Sequence, residues 1–484
     1  MRTNKRPVDV AVDVVALATF ALVVVRALGT VDPYWDTLQY HWPYAARAAG
    51  MCDSGCFAMF GELEERYRGF PMLYHWAFGW LWRLFGTPAA GHALTIAAVM
   101  ALCVYLRRRF AVPLAWSWLA FLAIPLVQIH LSASYADLFA NALLTVGILV
   151  LVSILRTRLP PTTVELAIAL TALGLTAGTK LQLIPVAALV WLAIVVAAVR
   201  MRRRIDGRTP WGYVLVTALV GSIAILPQAA ANVWHFHNPF YPIAFKIAGM
   251  VVPGPETVTQ IQQMTSVGTS WKHSPGWLRW VASVLEFDAF RGRPVPWAVD
   301  QGWVTQDNPS FRMGGYFVAY VLGLVILLMA RVRERPLRPL FFVLATVTGI
   351  CALLPNSHEL RYYQFWMLTL VSLVLILAFS PSAASPSQPR SLRDARVLIA
   401  VALASVVSMT GAIYLTTGGS RIGTLVAPTN AVVDALPADT TLCVGHLHRD
   451  AILYAKPFHP ASSIHVRSIV GENAPGCDRA IVPP

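Results

Sequence analysis

Long apolar runs, each broken by a short basic cluster or a polar turn, pattern the chain from its start to about residue 416. A helix needs about 20 mostly apolar residues to cross the bilayer core. Runs of that order fall at 8–30, 90–106, 110–131, 135–155, 162–178, 181–199, 211–230, 314–330, 337–354, 361–380 and 396–416. They predict about 11 transmembrane helices. The first follows Arg2, Lys5 and Arg6, as a signal peptide would. It is long enough to span and no small-residue cleavage site follows, so it reads as an anchor. Segment 70–86, FPMLYHWAFGWLWRLFG, is ambiguous. It reaches only about 25 Å as a helix, and its Trp and Tyr content suits a helix lying at the membrane surface.

Composition narrows the class. Of 484 residues, 56% are apolar and 13% charged, about half the charged share of a soluble domain. A soluble globule has no way to bury so much apolar surface. A disordered chain is polar and poor in aromatics, and six Cys are too few for a disulfide-built scaffold. In a soluble chain the net charge of +14 would point to nucleic acid. Here the basic residues gather at span ends with no basic stripe elsewhere, so no nucleic-acid partner is expected.

Sidedness follows from that clustering. With 70–86 interfacial and the N-terminus inside, the cytoplasmic segments are 1–7, 107–109, 156–161, 200–210, 331–336 with Arg338, and 381–396. They hold more than half of the 38 Lys and Arg, and RRR, RTR, RMRRR and RVRER all land on one side. Among the 24 acidic residues, only Asp9, Asp13, Glu165, Asp206, Glu334 and Asp394 sit in or near the cytoplasmic half. The chemistry is therefore expected outside.

Three sizeable pieces face outward: loop 31–89, loop 231–313 and the tail 417–484. Unspanned loops of this length are usually functional. Segment 381–396 is a polar Ser/Pro linker ahead of the last span, 397–416. In the tail, TLCVG, AILYA and SIHVRSIV alternate as short strands do. Cys443 and Cys477 are placed to staple the tail, and Cys52 and Cys56 to pair in the first loop; free thiols are the alternative. Cys103 and Cys351 fall within spans and read as packing residues.

Five elements then occur in order, with consistent sidedness. They are WDTLQYHWPYAARAAG after the first span, SASYADLFANALL, GLTAGTKLQLIP, ANVWHFHNPFYP and LPNSHELRYYQFW. Together they resemble the GT-C superfamily of membrane glycosyltransferases, such as the protein mannosyltransferases and the aminoarabinose transferases of lipid A. The resemblance covers residues 1 to about 380, the catalytic region with both loops. It implies a GT-C-like, all-α polytopic membrane protein with external interfacial helices, followed by a small external C-terminal α/β domain. It also implies a bacterial inner membrane, with the N-terminus cytoplasmic and the C-terminal domain periplasmic or extracellular. The expected partners are a polyprenyl-phosphate-linked sugar donor, a glycan, lipid or protein acceptor, and membrane lipid.

In that family an Asp near the end of the first span is catalytic, and Asp36 matches it. Many members carry two adjacent acids there. Here Trp35 precedes Asp36 and the nearest other acid is Asp32, so a divalent metal (Mg or Mn) with oxygen ligands stays open. By position alone, Asp36 serves equally as a helix N-cap; the resemblance favours a general base. Asp32 reads as a turn residue before Pro33. Asp137 is a candidate for binding acceptor, metal or sugar, or an N-cap of the 135–155 span. Lys180, alone between two apolar runs, either snorkels to head groups or binds the donor phosphate. Arg361 follows His358 and Glu359 on the external side, where either a lipid phosphate or Glu359 gives it a counter-charge. Tyr40 and His41 lie next to Asp36, and His41 is either a loop histidine or a group that orients the carboxylate. Asn238 to Pro242, NPFYP, reads as rigid turn chemistry over the site. Trp271, Trp277 and Trp280 read as interface anchors rather than sugar-stacking rings.

No Walker loop, HExxH or CxxC pair occurs. The expected activity is inverting transfer of a sugar from a polyprenyl-phosphate carrier to an acceptor hydroxyl on the external face. The alternatives are a lipid-linked glycan ligase or polymerase, and a transporter of a lipid-linked or polar solute. A transporter is expected to show midplane charges and repeats, and neither is found.

Overall fold

The computed structural model describes residues 7–32, 36–52, 66–207, 211–247, 249–257, 274–285, 315–329, 338–354, 356–357, 359–379, 395–400, 421–445, 451–469 and 476–481. Helix α1 (Pro7–Gly29) buries only Ala16, Val23 and Ala27. Lipid tails are as apolar as Leu, so such a helix is stable with hydrocarbon around most of its circumference. A π-helical turn (Thr37–His41) leads into α2 (Trp42–Ala48), then α3 (Leu73–Phe85), α4 (His92–Phe110), α5 (Leu114–Leu122) and α6 (Pro125–His130). The bundle continues with α7 (Asp137–Thr157), α8 (Thr163–Ala177), α9 (Ile184–Asp206), α10 (Trp211–Ile225) and α11 (Pro227–Phe236). Beyond a small sheet come α12 (Gly276–Leu285), α13 (Gly315–Met329), α14 (Arg338–Leu353) and α15 (Phe365–Phe379).

Helix α7 is the axis. Every residue from Ala140 to Val150 is buried, against α4, α8, α9 and α15. A Cβ on Gly147 would overlap Leu173 of α8, so glycine there permits the close approach. Helix α8 starts in a capping box, with Thr162 and Glu165 satisfying each other's backbone N–H.

Among the described residues, four helical runs are long and apolar enough to cross a bilayer: Pro7–Gly29, Pro88–Phe110, Asp137–Thr157 and Leu181–Asp206. Helices α10 and α11 qualify together as a fifth, bent by 61° where Pro227 removes a backbone donor. Shorter apolar helices lie at Thr163–Ala177, Tyr320–Met329, Arg338–Leu353 and Phe365–Phe379. The chain is thus an all-α, multi-pass membrane protein with at least four long apolar helices, and the described residues do not reach the expected count of eleven. The expected span 110–131 is not one helix. Pro125 breaks it into α5 and α6, and Gln128 Nε2 donates to the Leu122 carbonyl at the break, 2.6 Å away. The last expected span is described only to residue 400, and the linker 381–394 lies outside the described residues.

Helix α3, in segment 70–86, spans only 13 residues, about 20 Å. It exposes Leu73, Trp76, Trp80 and Leu84 along one stripe and buries Tyr74, His75, Phe78 and Trp82. A Cβ on Gly79 would overlap the Ala45 carbonyl, so this glycine lets α3 lie directly on α2.

The two ends of the bundle differ in charge. Arg109, at the end of α4, pairs with Glu165 at the start of α8 at 2.9 Å and donates to Ser153 near the end of α7. The basic clusters at 107–109 and 200–204 therefore sit at the end of the bundle opposite the start of α7.

Two sheets interrupt the helices. Strand β1 (Ile243–Ile247) pairs antiparallel with β2 (Met250–Val252) and parallel with β3 (Glu256–Thr257). Nothing in the apolar pattern of loop 231–313 predicts these short strands. In the tail, α16 (Ile422–Asp434) precedes a parallel sheet ordered β5-β4-β6, built from β4 (Thr441–Gly445), β5 (His465–Ile469) and β6 (Arg479–Ile481). TLCVG and SIHVRSIV contain β4 and β5, but AILYA is a 3-10 turn (Ala451–Tyr454) rather than a strand. Ile452 and Leu453 are both buried in this turn, in one cluster with Leu442 and Val444 of β4, so packing against the sheet rather than strand pairing holds the segment.

Cys443 and Cys477 form a disulfide, and Cys103 and Cys351 are free and buried. Cys52 is disulfide-bonded; Cys56, its expected partner, lies outside the described residues. The tail is seated on the first loop, with Phe458 packing against Trp42 of α2 and Trp82 of α3 at ring distances of 5.5 and 5.2 Å.

Candidate active site

At the end of the bundle away from the basic clusters lies a cavity of about 460 Å³. Asp36, Tyr40 and His41 reach it from the π turn, Lys180 from between α8 and α9, and Arg361 and Tyr362 from the turn before α15. Asp36 and Arg361 are 325 residues apart in sequence.

Asp36 occupies the N-cap position of the π turn but makes no capping hydrogen bond. Its carboxylate turns to the cavity instead: Oδ2 accepts from Arg361 NH1 at 2.9 Å and from the Tyr40 hydroxyl at 3.2 Å. A purely local capping role is thereby excluded. Asp137 is likewise no cap, since Ala136 holds that position at the start of α7. Its carboxylate, 2% exposed, takes an ion pair from Lys180. Lys180 does not snorkel to a head group; it is an internal cation, 11% exposed.

Tyr362 organises the cations. Lys180 Nζ lies 4.4 Å from its ring centroid and Arg361 Cζ 4.9 Å, so both flank one aromatic face system. Arg361 NH2 also donates to the Tyr362 hydroxyl at 3.2 Å, and its Nε lies 3.5 Å from Glu359 Oε2. Asn141 of α7 fixes this turn, donating to the Tyr362 carbonyl at 3.3 Å and accepting from Phe365 N at 2.9 Å. Burial pushes the Glu359 carboxyl up from its usual range, against the opposing pull of Arg361, and burial lowers the Lys180 ammonium.

His41 does not orient Asp36. Its Nδ1 shares a 2.9 Å hydrogen bond with His75 Nε2 of α3, and both rings are buried cavity-wall groups. Burial holds both imidazoles neutral, His41 well below its usual value and His75 down to about 3. His358, Trp35 and Trp271 lie outside the described residues. Trp277 is exposed, 52%, but Trp280 is no surface anchor: it is buried against Trp366 at 5.3 Å.

The NPFYP turn closes one side. The Asn238 side chain bonds Ile243 O, Pro253 O and Phe240 N, and Phe240 and Pro242 line the cavity. Residues 66–71 add Arg66, Phe70 and Pro71 to the wall.

Among the described residues, no group of three or more His, Cys, Asp or Glu side chains gathers as a metal would need. Among the described residues Asp36 is the carboxylate that lines the cavity, with Asp137 and Glu359 buried behind it, and all three are already matched to cations, Asp36 and Glu359 to Arg361 and Asp137 to Lys180. This donor set does not fit a divalent ion.

Two crystal structures resemble this chain in fold. ArnT from Cupriavidus metallidurans bound to undecaprenyl phosphate matches with a TM-score of 0.51, covering 94% of this chain and 85% of that one at 13% identity. The chain shares the ArnT fold. The apo structure of the same ArnT gives 0.50, over 92% and 84%, at 14% identity. No protein-family model and no curated protein sequence matches. The GT-C-like architecture expected from the motif order is thus met at the level of fold, across nearly the full chain.

Arg66, His75 and Tyr362 are cavity groups that the motif order did not single out. Tyr362 adjoins Arg361 in the ELRYYQFW stretch and was within reach of the motif reading. Arg66 and His75 carried no such signal, because each reaches the cavity only through tertiary packing.

Proposed function

We propose that the protein is an inverting glycosyltransferase that moves a sugar from a polyprenyl-phosphate carrier to an acceptor hydroxyl on the external face of a bacterial inner membrane. The carrying observation is convergence: Asp36, Lys180 and Arg361 share one cavity, with Asp36 and Arg361 2.9 Å apart. The ArnT fold adds support, since the matching ArnT crystal structure contains undecaprenyl phosphate.

The chemistry needs a base, cations and dryness. The acceptor oxygen attacks the anomeric carbon from the face opposite the phosphate, and its proton passes to the Asp36 carboxylate. The bond from that carbon to the phosphate oxygen breaks, and its electron pair leaves with the phosphate. Negative charge on the phosphate grows from about one to nearly two as the diester becomes a monoester. Lys180 and Arg361 therefore stabilise the departing group more than the bound donor, which is the condition for acceleration. The arriving anion competes with Asp36 and Asp137 for these cations. Tyr40 and Arg361 both donate to Asp36 Oδ2, so Oδ1 is the oxygen assigned to the acceptor. Phe70, Phe240, Pro242 and Leu354 give the cavity an apolar side for the prenyl chain and exclude water.

Buried ion pairs contribute little net stability compared with apolar packing. Their concentration around one cavity supports a functional role rather than a structural one. The test uses washed membranes and a panel of undecaprenyl-phosphate-linked radiolabelled hexoses and pentoses. Asp36→Asn abolishes transfer while the protein stays folded and inserted; full transfer by that variant would remove the mechanism.

A further inference from the structure

Asp32 reads in sequence as a turn residue, yet it is 2% exposed and sits behind the cavity wall. Its partners are uncharged donors, one five residues on in its own segment and one 102 residues away. Thr37 Oγ1 donates to Oδ2, and Ser134 donates to Oδ1 through its N–H at 2.8 Å and its hydroxyl at 3.0 Å. Thr37 immediately follows Asp36. Ser134 stands three residues before Asp137, on the turn from α6 into α7.

The link continues outward. Trp42 Nε1 donates to Ser134 Oγ at 2.9 Å, and His92 at the start of α4 shares a 3.3 Å contact with the same hydroxyl. His92 Nε2 lies 3.8 Å from Asp32 Oδ1, and its Nδ1 is engaged by the Ala27 carbonyl at 2.6 Å. Three neutral donors and, among the described residues, no Lys or Arg ion pair are poor compensation for removing a carboxylate from water. Burial accordingly pushes the Asp32 carboxyl up to about 7. An apolar or amide residue would be less costly if the position only filled space.

What Asp32 supplies, and an apolar residue does not, is two side-chain polar atoms that address partners on opposite sides. We propose that Asp32 is a positioning residue. It holds the turn bearing Asp36 against the turn leading into Asp137, and so sets the spacing between the proton acceptor and the Lys180 side of the cavity. The inference rests on the assignment of Asp36 as base. A misplacement near 1 Å costs about 100-fold in such reactions.

The experiment compares full-length Asp32→Ala, Asp32→Asn and Thr37→Val with the parent, using the panel sugar that the parent transfers. Undecaprenyl phosphate binding serves as the probe of the anion site. Asp32→Ala lowers kcat about 100-fold and Thr37→Val about tenfold, the worth of one ordinary hydrogen bond. Undecaprenyl phosphate binding is unchanged in both. Asp32→Asn keeps one acceptor for Ser134, while the Thr37 hydroxyl turns to accept from its amide, so kcat recovers to within about fivefold of the parent.

Parent-like kcat in Thr37→Val and Asp32→Ala overturns the inference. Asp32→Asn as inactive as Asp36→Asn also overturns it, because Asp32 would then be a reacting carboxylate. Loss of kcat accompanied by equal loss of undecaprenyl phosphate binding overturns it as well, and reduces Asp32 to general folding. Should Asp32→Ala fail to fold, Thr37→Val and Asp32→Asn decide alone. Full transfer by Asp36→Asn would instead remove the assignment of the base, a result the Asp32 variants do not share.

Discussion

Replacing Lys180 by Met separates what the buried charges do for the fold from what they do for the reaction. The perturbation leaves Asp137, 2% exposed, without its ion-pair partner. Lys180 itself is 11% exposed, so solvent screens little of the interaction. Breaking one side of such a pair costs about 3–5 kcal/mol, nearly all of it the uncompensated charge left behind. Removing both charges together, as Lys180→Met with Asp137→Leu, takes away that penalty and returns stability to within about 1 kcal/mol of the parent. The assay is thermal unfolding of purified protein alongside transfer in reconstituted membranes. The single variant is unstable and inactive, whereas the double variant is stable and still inactive, because the departing phosphate has lost a cation. A double variant that regains transfer with its stability would refute the assignment of Lys180 to the anion.

Three other outcomes follow from the same geometry. Burial raises the Asp32 carboxyl to about 7 in the folded protein from its ordinary 3.8, so between those values the folded state keeps a proton that the unfolded chain has lost. Its contribution is full below pH 4 and is lost as pH rises through about 7. Its titratable neighbours are His92 from α4 and Tyr74 from α3, and Asp32→Asn flattens this part of the stability–pH curve. Cys443→Ser opens a loop of 34 residues and costs the tail about 4 kcal/mol by chain entropy, read by thermal unfolding with and without reductant. Phe458→Ala empties the contact with Trp42 and Trp82 and costs about 1–3 kcal/mol for this half-buried ring. Hydrogen exchange in α2 and α3 then rises together with that in the tail.

The parts legible in the sequence are those where burial conflicts with charge. Lys180 stands out because an ammonium between two apolar runs demands an anion, and Asp137 supplies one. Arg361 and Asp36 stand out by order along the chain, and the structure joins them. Other features depend on contacts that no local pattern encodes. Asp32 looks like a turn residue because its partner Ser134 is 102 residues away. His41 looks available to Asp36 because the ring that engages it, His75, arrives on another helix. Helix breaks are partly visible: Pro125 and Pro227 mark them, but only the fold shows that α10 and α11 bend by 61°. Strands β2 and β3, three and two residues long, are too short for alternation to be seen, and the apolar run AILYA packs as a turn rather than a strand.

The most direct measurement of the central claim is the position of a carrier head group in the protein. A cryo-electron microscopy map with undecaprenyl phosphate bound is predicted to place the phosphate between Lys180 and Arg361, with the Asp36 carboxylate on the side where a sugar carbon would be attacked. A head group bound at the opposite end of the bundle, among the clusters at 107–109 and 200–204, would contradict it.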